Sequence, residues 1–243
     1  MIQRFRMRIA YDGSAFHGYA KQPHLSSVQE TLECALQSLG IKDTLLCAGR
    51  TDKGVHALAQ VVSFCTPLSL QTLQRYLPSK LAPHIVCRGL EPVPLNFHPR
   101  FDARMRTYGY VLSKTLHNPF LSRYITHCNH GNLTQMQEAL DCFMGTHDFK
   151  FFSKKGSEPA NTQRHICHAQ CMQRIFLGVP CVFIKICAPS FLRAQVRLIV
   201  GAALAYSLGY LRLEQLQTQI DAQQRHHHTP APPQGLYLMR VAY

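Results

Sequence analysis

One carboxylate in this chain stands between two cations inside a turn bounded by glycines. Asp52 is flanked by Arg50 and Lys53, with Gly49 and Gly54 on either side. Nearby positive charges favour the ionised form of a carboxylic acid, and glycines let a backbone approach a ligand closely. The pattern therefore predicts an ionised, fixed Asp52 that can act as a base or nucleophile. The alternative is a polar turn in which this aspartate only bends or caps the chain.

Apolar runs flank this turn and predict the elements that hold it. Residues Leu45–Ala48 read as a buried strand that enters the turn, and Ala59–Phe64 as a strand that leaves it. A carboxylate on a loop between two rigid strands has the usual position of a catalytic group.

Composition indicates a globular protein with an anionic partner. The chain has 243 residues, 46% hydrophobic, and 26 Lys and Arg against 13 Asp and Glu give a formal charge of +13. This charge favours a polyphosphate partner over a membrane surface, because no basic amphipathic helix or polybasic tail is apparent. The alternative is a generally basic proteome.

The sequence also indicates a location. Its longest uncharged apolar run, Leu198–Leu211, falls short of the roughly 20 residues that span a bilayer, and Met1–Arg6 resembles no export signal. We therefore expect a cytoplasmic protein with no membrane association, whose ten cysteines behave as small hydrophobes or free thiols.

Periodicity and turn signals predict an α+β protein in two related halves, residues 1–105 and 106–243. The proline-rich segment Pro92–Pro94, with Pro99 soon after, is the candidate linker. The remaining predicted elements are strands at Phe5–Tyr11, Ile85–Leu90, Thr107–Leu112, His165–Gln173 and Val182–Ile186, and helices at Ser27–Leu39, Ser69–Leu77, Leu133–Phe143 and Phe191–Leu208.

Several segments together resemble the tRNA pseudouridine synthases of the TruA family. The Asp52 segment matches the signature Gly-Arg-Thr-Asp-x-Gly-Val-His of that family nearly letter for letter. The supporting blocks follow in the family's order over nearly the whole chain: Tyr11–Tyr19, Asn96–Ala103, Arg106–Tyr110, Ser190–Gly201 and Gly235–Leu238.

This resemblance implies a fold and a reaction. The fold is two α+β halves forming a largely antiparallel sheet, with helices on one face and a central basic cleft. The reaction isomerises uridine to pseudouridine in the anticodon stem-loop, at tRNA positions 38, 39 and 40. It needs no cofactor, and the chain has neither a phosphate loop nor a dinucleotide fingerprint. Glycosidic chemistry usually employs two carboxylates; a single candidate suits an isomerisation in which the base never leaves.

The resemblance also assigns roles to residues. Asp52 is the catalytic carboxylate, Arg50 its partner, Arg197 a second cation, and Tyr108 an aromatic surface for the extruded base that also serves as a proton shuttle. Without the resemblance, Tyr108 would read as strand packing and Arg197 as the charged start of an apolar helix. The candidate substrate-binding residues are Lys21, Lys53, His56, Arg100, Arg104, Arg106 and Tyr108.

Two histidine-containing segments suggest metal binding by residue type but fit structural roles better. His165, Cys167, His168 and Cys171 have the residue types of a zinc site, but Cys167 and Cys171 alternate as the small apolar face of a strand, so we favour core packing and expect no metal. The triplet His226–His228 reads as a loop.

We therefore interpret the chain as a tRNA-modifying isomerase that works as a homodimer. The alternatives are an RNA-binding module or chaperone without turnover, and a metal-dependent hydrolase. The segment Ala188–Gln195 departs from the family pattern, which leaves the choice of target uridines open.

Overall fold

The structure is a computed structural model that describes residues 1–115, 118–154 and 161–243. The chain divides into two compact units. Unit 1 comprises Met1–Arg104 together with Tyr237–Tyr243, and unit 2 comprises Met105–Leu236. The division of function between halves 1–105 and 106–243 remains a prediction. In the described residues no helix is long and apolar enough to cross a membrane.

Unit 1 is built on a mostly antiparallel sheet. Strand β1 pairs antiparallel with both β3 and β4, and β11 adds to β3 in parallel. The short strand β2 pairs with the later part of β3. The strands are β1 (Gln3–Tyr11), β2 (Leu46–Cys47), β3 (His56–Thr66), β4 (Ile85–Val93) and β11 (Leu236–Ala242), and the helices are α1 (Val28–Gln37) and α2 (Leu70–Leu81).

The helices of unit 1 begin where the sequence predicts. The side chain of Ser27 accepts a hydrogen bond from the Glu30 N–H at the start of α1, and Ser69 does the same for Thr72 at the start of α2. Each bond satisfies one of the N–H groups that a helix start leaves without an internal partner. Helix α2 continues past the predicted end and accommodates Pro78 in its last turn.

Unit 2 has a second antiparallel arrangement, of β5, β10 and β9 in that order, with β6 parallel to β5. Helix α3 packs against α4 and β9. A separate hairpin pairs β7 with β8. The strands are β5 (Met105–Ser113), β6 (Thr126–His127), β7 (Gly145–Asp148), β8 (Gln163–Ile166), β9 (His168–Phe176) and β10 (Val179–Ala188), and the helices are α3 (Leu133–Cys142), α4 (Gln195–Ser207) and α5 (Leu213–Ile220).

The α+β class and the mostly antiparallel pairing confirm the predicted fold class. The proposed linker is wrong in part, because Pro92 and Val93 belong to β4 and face Phe5 and Arg4 of β1. Strand β4 lies at the edge of the sheet, where a residue without an N–H costs no ladder bond. The predicted strand His165–Gln173 is two strands, β8 and β9, interrupted at Cys167.

Helix α4 starts later than predicted, at Gln195 rather than Phe191. Ala194 adopts a left-handed conformation with φ of 58° just before it, so residues 191–194 form a bend instead of a first helical turn. Ten of the 13 residues of α4 are buried, as expected of a core helix.

Candidate active site

The turn that carries Asp52 leaves the sheet of unit 1 beside β3. Strand β2 pairs with Val62 and Ser63 of β3, and β11 pairs with His56 and Ala57. Both must use the edge of β3 that β1 does not occupy. Strands β2 and β11 therefore pair with different parts of the same edge of β3, and the turn from β2 to β3 lies between them. This pairing fixes both ends of the turn.

The backbone of this turn has one defined shape. The Val55 N–H donates to the Asp52 carbonyl over 3.2 Å, and Gly54 between them has φ of 78°. A positive φ at the third position is what a type II turn requires, and glycine adopts it without strain. Asp52 is half-buried, whereas Arg50 and Lys53 beside it are exposed.

Thr51 fixes the turn through its hydroxyl and its carbonyl. Its hydroxyl and the Tyr11 hydroxyl are 2.8 Å apart in a buried position, and its carbonyl accepts the Tyr19 N–H over 3.0 Å. Gln60, which is fully buried on β3, donates its amide to the Gly49 carbonyl over 2.7 Å. Thr51 and Gly49, which both precede Asp52, are thus held in place by hydrogen bonds.

The N-terminal loop packs directly on the same turn. A Cβ on Gly13 would lie 2.0 Å from the Val55 carbonyl oxygen, and one on Gly18 would lie 3.3 Å from the Thr51 carbonyl oxygen. Gly18 also has φ of 107°. Only glycine allows the two backbones to approach this closely.

His56 lies beneath the loop rather than at its surface. Only 2% of the residue is exposed, its Nδ1 accepts the Gly13 N–H over 3.0 Å, and its ring stacks on Tyr237 with centroids 4.8 Å apart. The Asp12 carboxylate is 3.3 Å from the same Nδ1. His56 is placed to support the turn, and its predicted contact with substrate is not favoured by this burial.

Cys47, just before the turn, is not an activated nucleophile. Burial raises the pKa of its thiol, although a hydrogen bond with Tyr19 and the charges of Arg50 and Arg100 oppose that rise. The thiol therefore stays protonated at neutral pH. Burial likewise raises the pKa of Tyr19 well above its usual value.

The predicted site residues of unit 2 lie on β5 and in the first turn of α4. Tyr108 is half-buried and meets the ring of Phe191 edge-on, with centroids 5.2 Å apart. Arg197 is half-buried and donates from Nε to the Ala231 carbonyl over 2.7 Å. Both side chains are oriented by packing within their own unit.

Arg106 differs from the other predicted phosphate contacts. It is 9% exposed, and its guanidinium donates to the Pro189 carbonyl. Arg100, Arg104, Lys21 and Lys53 are exposed; Lys21 lies 3.7 Å from Glu33. Arg106 is thus built into unit 2, where it holds the segment that leads to Phe191.

Two of the side chains with zinc-like residue types, those of His165 and Cys171, make hydrogen bonds of their own. His165 is exposed and bonds to the Thr146 hydroxyl, and the Cys171 thiol donates to the Leu133 carbonyl. In the parts of the chain that the structure describes, no three His, Cys, Asp or Glu residues are grouped to hold a metal ion.

The supporting residues Tyr11, Gly13 and Gly18 were not among the predicted site residues. The signal was present, since all three belong to the N-terminal block Tyr11–Tyr19. What the sequence lacks is any indication that this block lies against the Asp52 turn, because the contact joins residues about 40 positions apart.

Comparison with known proteins gives a consistent result. The sequence model of a family described as tRNA pseudouridine synthase matches residues 7–102 and 139–243. A protein named tRNA pseudouridine synthase A from Helicobacter pylori strain P12 is 47% identical over 241 residues, covering 98% of this chain and 99% of the relative. Proteins of the same name from Helicobacter acinonychis and Helicobacter hepaticus are 46% and 42% identical, over 98% of this chain and 99% and 98% of the relatives.

The packing of Gly13 on Val55 makes a testable prediction. Gly13→Ala should lower the free energy of unfolding by about 1–3 kcal/mol, because its Cβ must displace a backbone carbonyl. Gly49→Ala is the matched control, since a Cβ there meets nothing within 4 Å, and it should change stability by less than about 0.5 kcal/mol. Urea unfolding measures both. Equal stability of the two variants would contradict the described contact.

The hydrogen bond between the Tyr11 and Thr51 hydroxyls gives a second testable prediction. Thr51→Val removes a buried hydrogen bond, so we expect a loss of about 1–3 kcal/mol in stability and a turnover lowered several-fold as the Asp52 turn loosens. Thr51→Ser retains the hydroxyl and should retain most of both. The measurements are urea unfolding and single-turnover rates. If Thr51→Val keeps the wild-type rate, this bond does not position the turn.

Proposed function

Because the chain belongs to the tRNA pseudouridine synthase family, we propose that it modifies uridines on the 3′ side of the anticodon stem-loop with Asp52 as its catalytic carboxylate. The family isomerises uridine to pseudouridine in tRNA, and this chain is an isomerase acting on tRNA. The observation that carries the assignment of Asp52 is its geometry. A half-buried carboxylate stands on a turn whose neighbouring residues are fixed by buried bonds and by backbone contact.

The reaction exchanges one bond to the ribose for another. The bond from C1′ to N1 of uracil breaks, the ring turns within the site, and C1′ bonds to C5. The proton on C5 leaves and N1 gains one, so the overall change is an isomerisation that consumes no oxidant or co-substrate. Asp52 acts by attacking C1′, by adding to the uracil ring or by removing a ribose proton. All three routes require an ionised and positioned carboxylate.

Cations and an aromatic ring complete the proposed site. Arg50 follows Gly49 on the same turn and is exposed, so it can pair with Asp52 or with RNA. Tyr108 serves as a surface for the extruded base, supported by the edge of Phe191 at 5.2 Å. Arg197 supplies a second cation whose Nε is held by the Ala231 carbonyl.

The remaining parts of the proposal concern the partner and the location. Exposed Lys21, Lys53, Arg100 and Arg104 are the candidate phosphate contacts, supported by the formal charge of +13. Arg106 is a weaker candidate because it is buried. A homodimer and a cytoplasmic location are also proposed, the first from family resemblance and the second from the location of tRNA.

Substitution of Asp52 tests the central proposal. Asp52→Ala should abolish pseudouridine formation and leave the Kd for tRNA within a few fold, because a group that acts only in the transition state contributes little to ground-state binding. Asp221→Ala, which removes an exposed carboxylate at the end of α5, is the matched control and should have wild-type turnover. Release of tritium from 5-tritiated uridine in tRNA gives the rate.

Arg50→Met extends the same experiment. It should reproduce much of the defect, and the double variant should be little worse than Asp52→Ala, because residues that act as one unit are not additive. Pseudouridine formation by Asp52→Ala well above a no-enzyme control would remove Asp52 from the mechanism.

The salt dependence of binding tests the phosphate contacts. The logarithm of tRNA affinity should fall linearly with the logarithm of salt concentration, with a slope that reflects several released counterions. Arg104→Met should reduce that slope by about one for every tRNA tested. Arg106→Met should leave the slope unchanged and lower stability instead, because its guanidinium holds the Pro189 carbonyl. If both variants altered the slope equally, Arg106 would also be a phosphate contact.

A further inference from the structure

An exposed phenylalanine stands on a loop of unit 1. Phe101 is 73% exposed, which leaves a large apolar ring in water. Its loop, residues 94–102, links β4 to the end of unit 1. None of the roles proposed above for the site employs this ring.

Two other flat groups lie beside the Phe101 ring. The His98 ring is 4.3 Å away, centroid to centroid, with an interplanar angle of 36°. The Arg100 guanidinium carbon lies 5.7 Å from the Phe101 centroid. An aromatic ring with an imidazole and a guanidinium next to it is the set of groups on which unpaired nucleobases stack in RNA-binding proteins.

Hydrogen bonds within the loop fix its backbone and the His98 ring. The His98 N–H donates to Asp102 Oδ2 over 2.9 Å, and the Asp102 N–H donates back to the His98 carbonyl over 3.0 Å. His98 Nδ1 accepts from the N–H groups of Arg100 and Phe101 at 3.1 and 3.4 Å. The loop backbone and the His98 ring are therefore ordered before any ligand arrives, which reduces the entropic cost of binding.

Residues outside the loop fix it to the sheet of unit 1. The Tyr243 hydroxyl donates to the Pro99 carbonyl over 2.8 Å, and the rings of Tyr243 and Phe97 are 5.1 Å apart. The guanidinium of Arg6, on β1, lies 5.1 Å from the Tyr243 ring and 5.6 Å from the Phe97 ring. Because these contacts fix the loop, the exposed ring of Phe101 stands on a rigid backbone.

We propose that Phe101, His98 and Arg100 form a stacking platform for an unpaired nucleobase of the bound tRNA, separate from the base that is isomerised. This inference rests on the proposed function, since it requires RNA as the ligand. The positive charge of Arg100 complements the phosphates on either side of such a base.

The first measurement is the Kd of tRNA for Phe101 variants at fixed salt. Phe101→Ala should weaken binding roughly fivefold or more, the effect expected for one lost base stack, and should leave the salt slope unchanged because no phosphate contact is lost. Phe101→Trp should retain wild-type affinity, whereas Phe101→Leu, apolar but without a π face, should resemble Phe101→Ala. Phe120→Ala is the matched control, because Phe120 is a comparably exposed phenylalanine at 79%, and it should bind as wild type does.

The second measurement identifies the base. Abasic substitution of each unpaired nucleotide in turn should weaken binding to the wild type at several positions. At the stacked position alone, the loss should disappear in Phe101→Ala, because contacting groups in a double-mutant cycle are not additive. Additive losses at every position would overturn the platform.

The outcomes separate this inference from the proposed function. If the wild type forms pseudouridine while Phe101→Ala binds tRNA unchanged, the platform is wrong and the enzyme assignment stands. If the wild type forms none, the proposed function fails whatever the binding result. Sedimentation of Phe101→Ala tests the alternative that Phe101 contacts a second copy of this chain instead of RNA. A change in oligomeric state with unaltered RNA affinity would support that alternative and overturn the proposal.

Discussion

Close contact between two backbone segments, residues 12–18 and 51–56, is the constraint on which the candidate site depends. Gly13 and Gly18 lie so near the carbonyls of Val55 and Thr51 that a side chain at either position would collide or crowd. Two further supports of the Asp52 turn follow from this approach. The Tyr11 hydroxyl reaches Thr51, and the Gly13 N–H reaches His56, only because the segments are in contact. This contact thus holds the chain on both sides of Asp52.

The two units orient their candidate groups by different means. Unit 1 fixes Asp52 through the backbone, with a turn, two glycines and buried side chains bonded to carbonyls. Unit 2 fixes Tyr108 through side chains, with Phe191 edge-on to its ring. The carbonyl of Pro189, just before Phe191, accepts a bond from Arg106. A carboxylate that takes part in making a bond must be held at a fixed position. A ring on which a base stacks can shift slightly and keep its contact.

Local signals in the sequence predicted much of the fold and singled out Asp52 as the candidate catalytic residue. Ser27 and Ser69 cap their helices because a hydroxyl before an apolar period is sufficient to mark a helix start. Asp52 was identifiable because its charges and glycines are neighbours in the chain. Long-range pairing was not predictable in the same way. Strand β3 begins at His56, earlier than expected, because β11 pairs there from the far end of the sequence. In the sequence Arg106 resembles any solvated charge, because nothing nearby reveals a carbonyl partner 83 positions away.

The parallel pairing of β11 with β3 affects how the protein is made. Residues from Tyr237 onward complete unit 1, yet the whole of unit 2 is synthesised between them and Arg104. On the ribosome, the edge of β3 next to the Asp52 turn therefore stays open while unit 2 emerges and folds. His56 lacks the ring of Tyr237 during that interval, and the loop at 94–102 lacks Tyr243. All residues of the Asp52 turn are therefore synthesised long before β11, the strand that pairs with β3 next to them. Assembly of this half is therefore a late event in biosynthesis, even though most of its sequence is translated first.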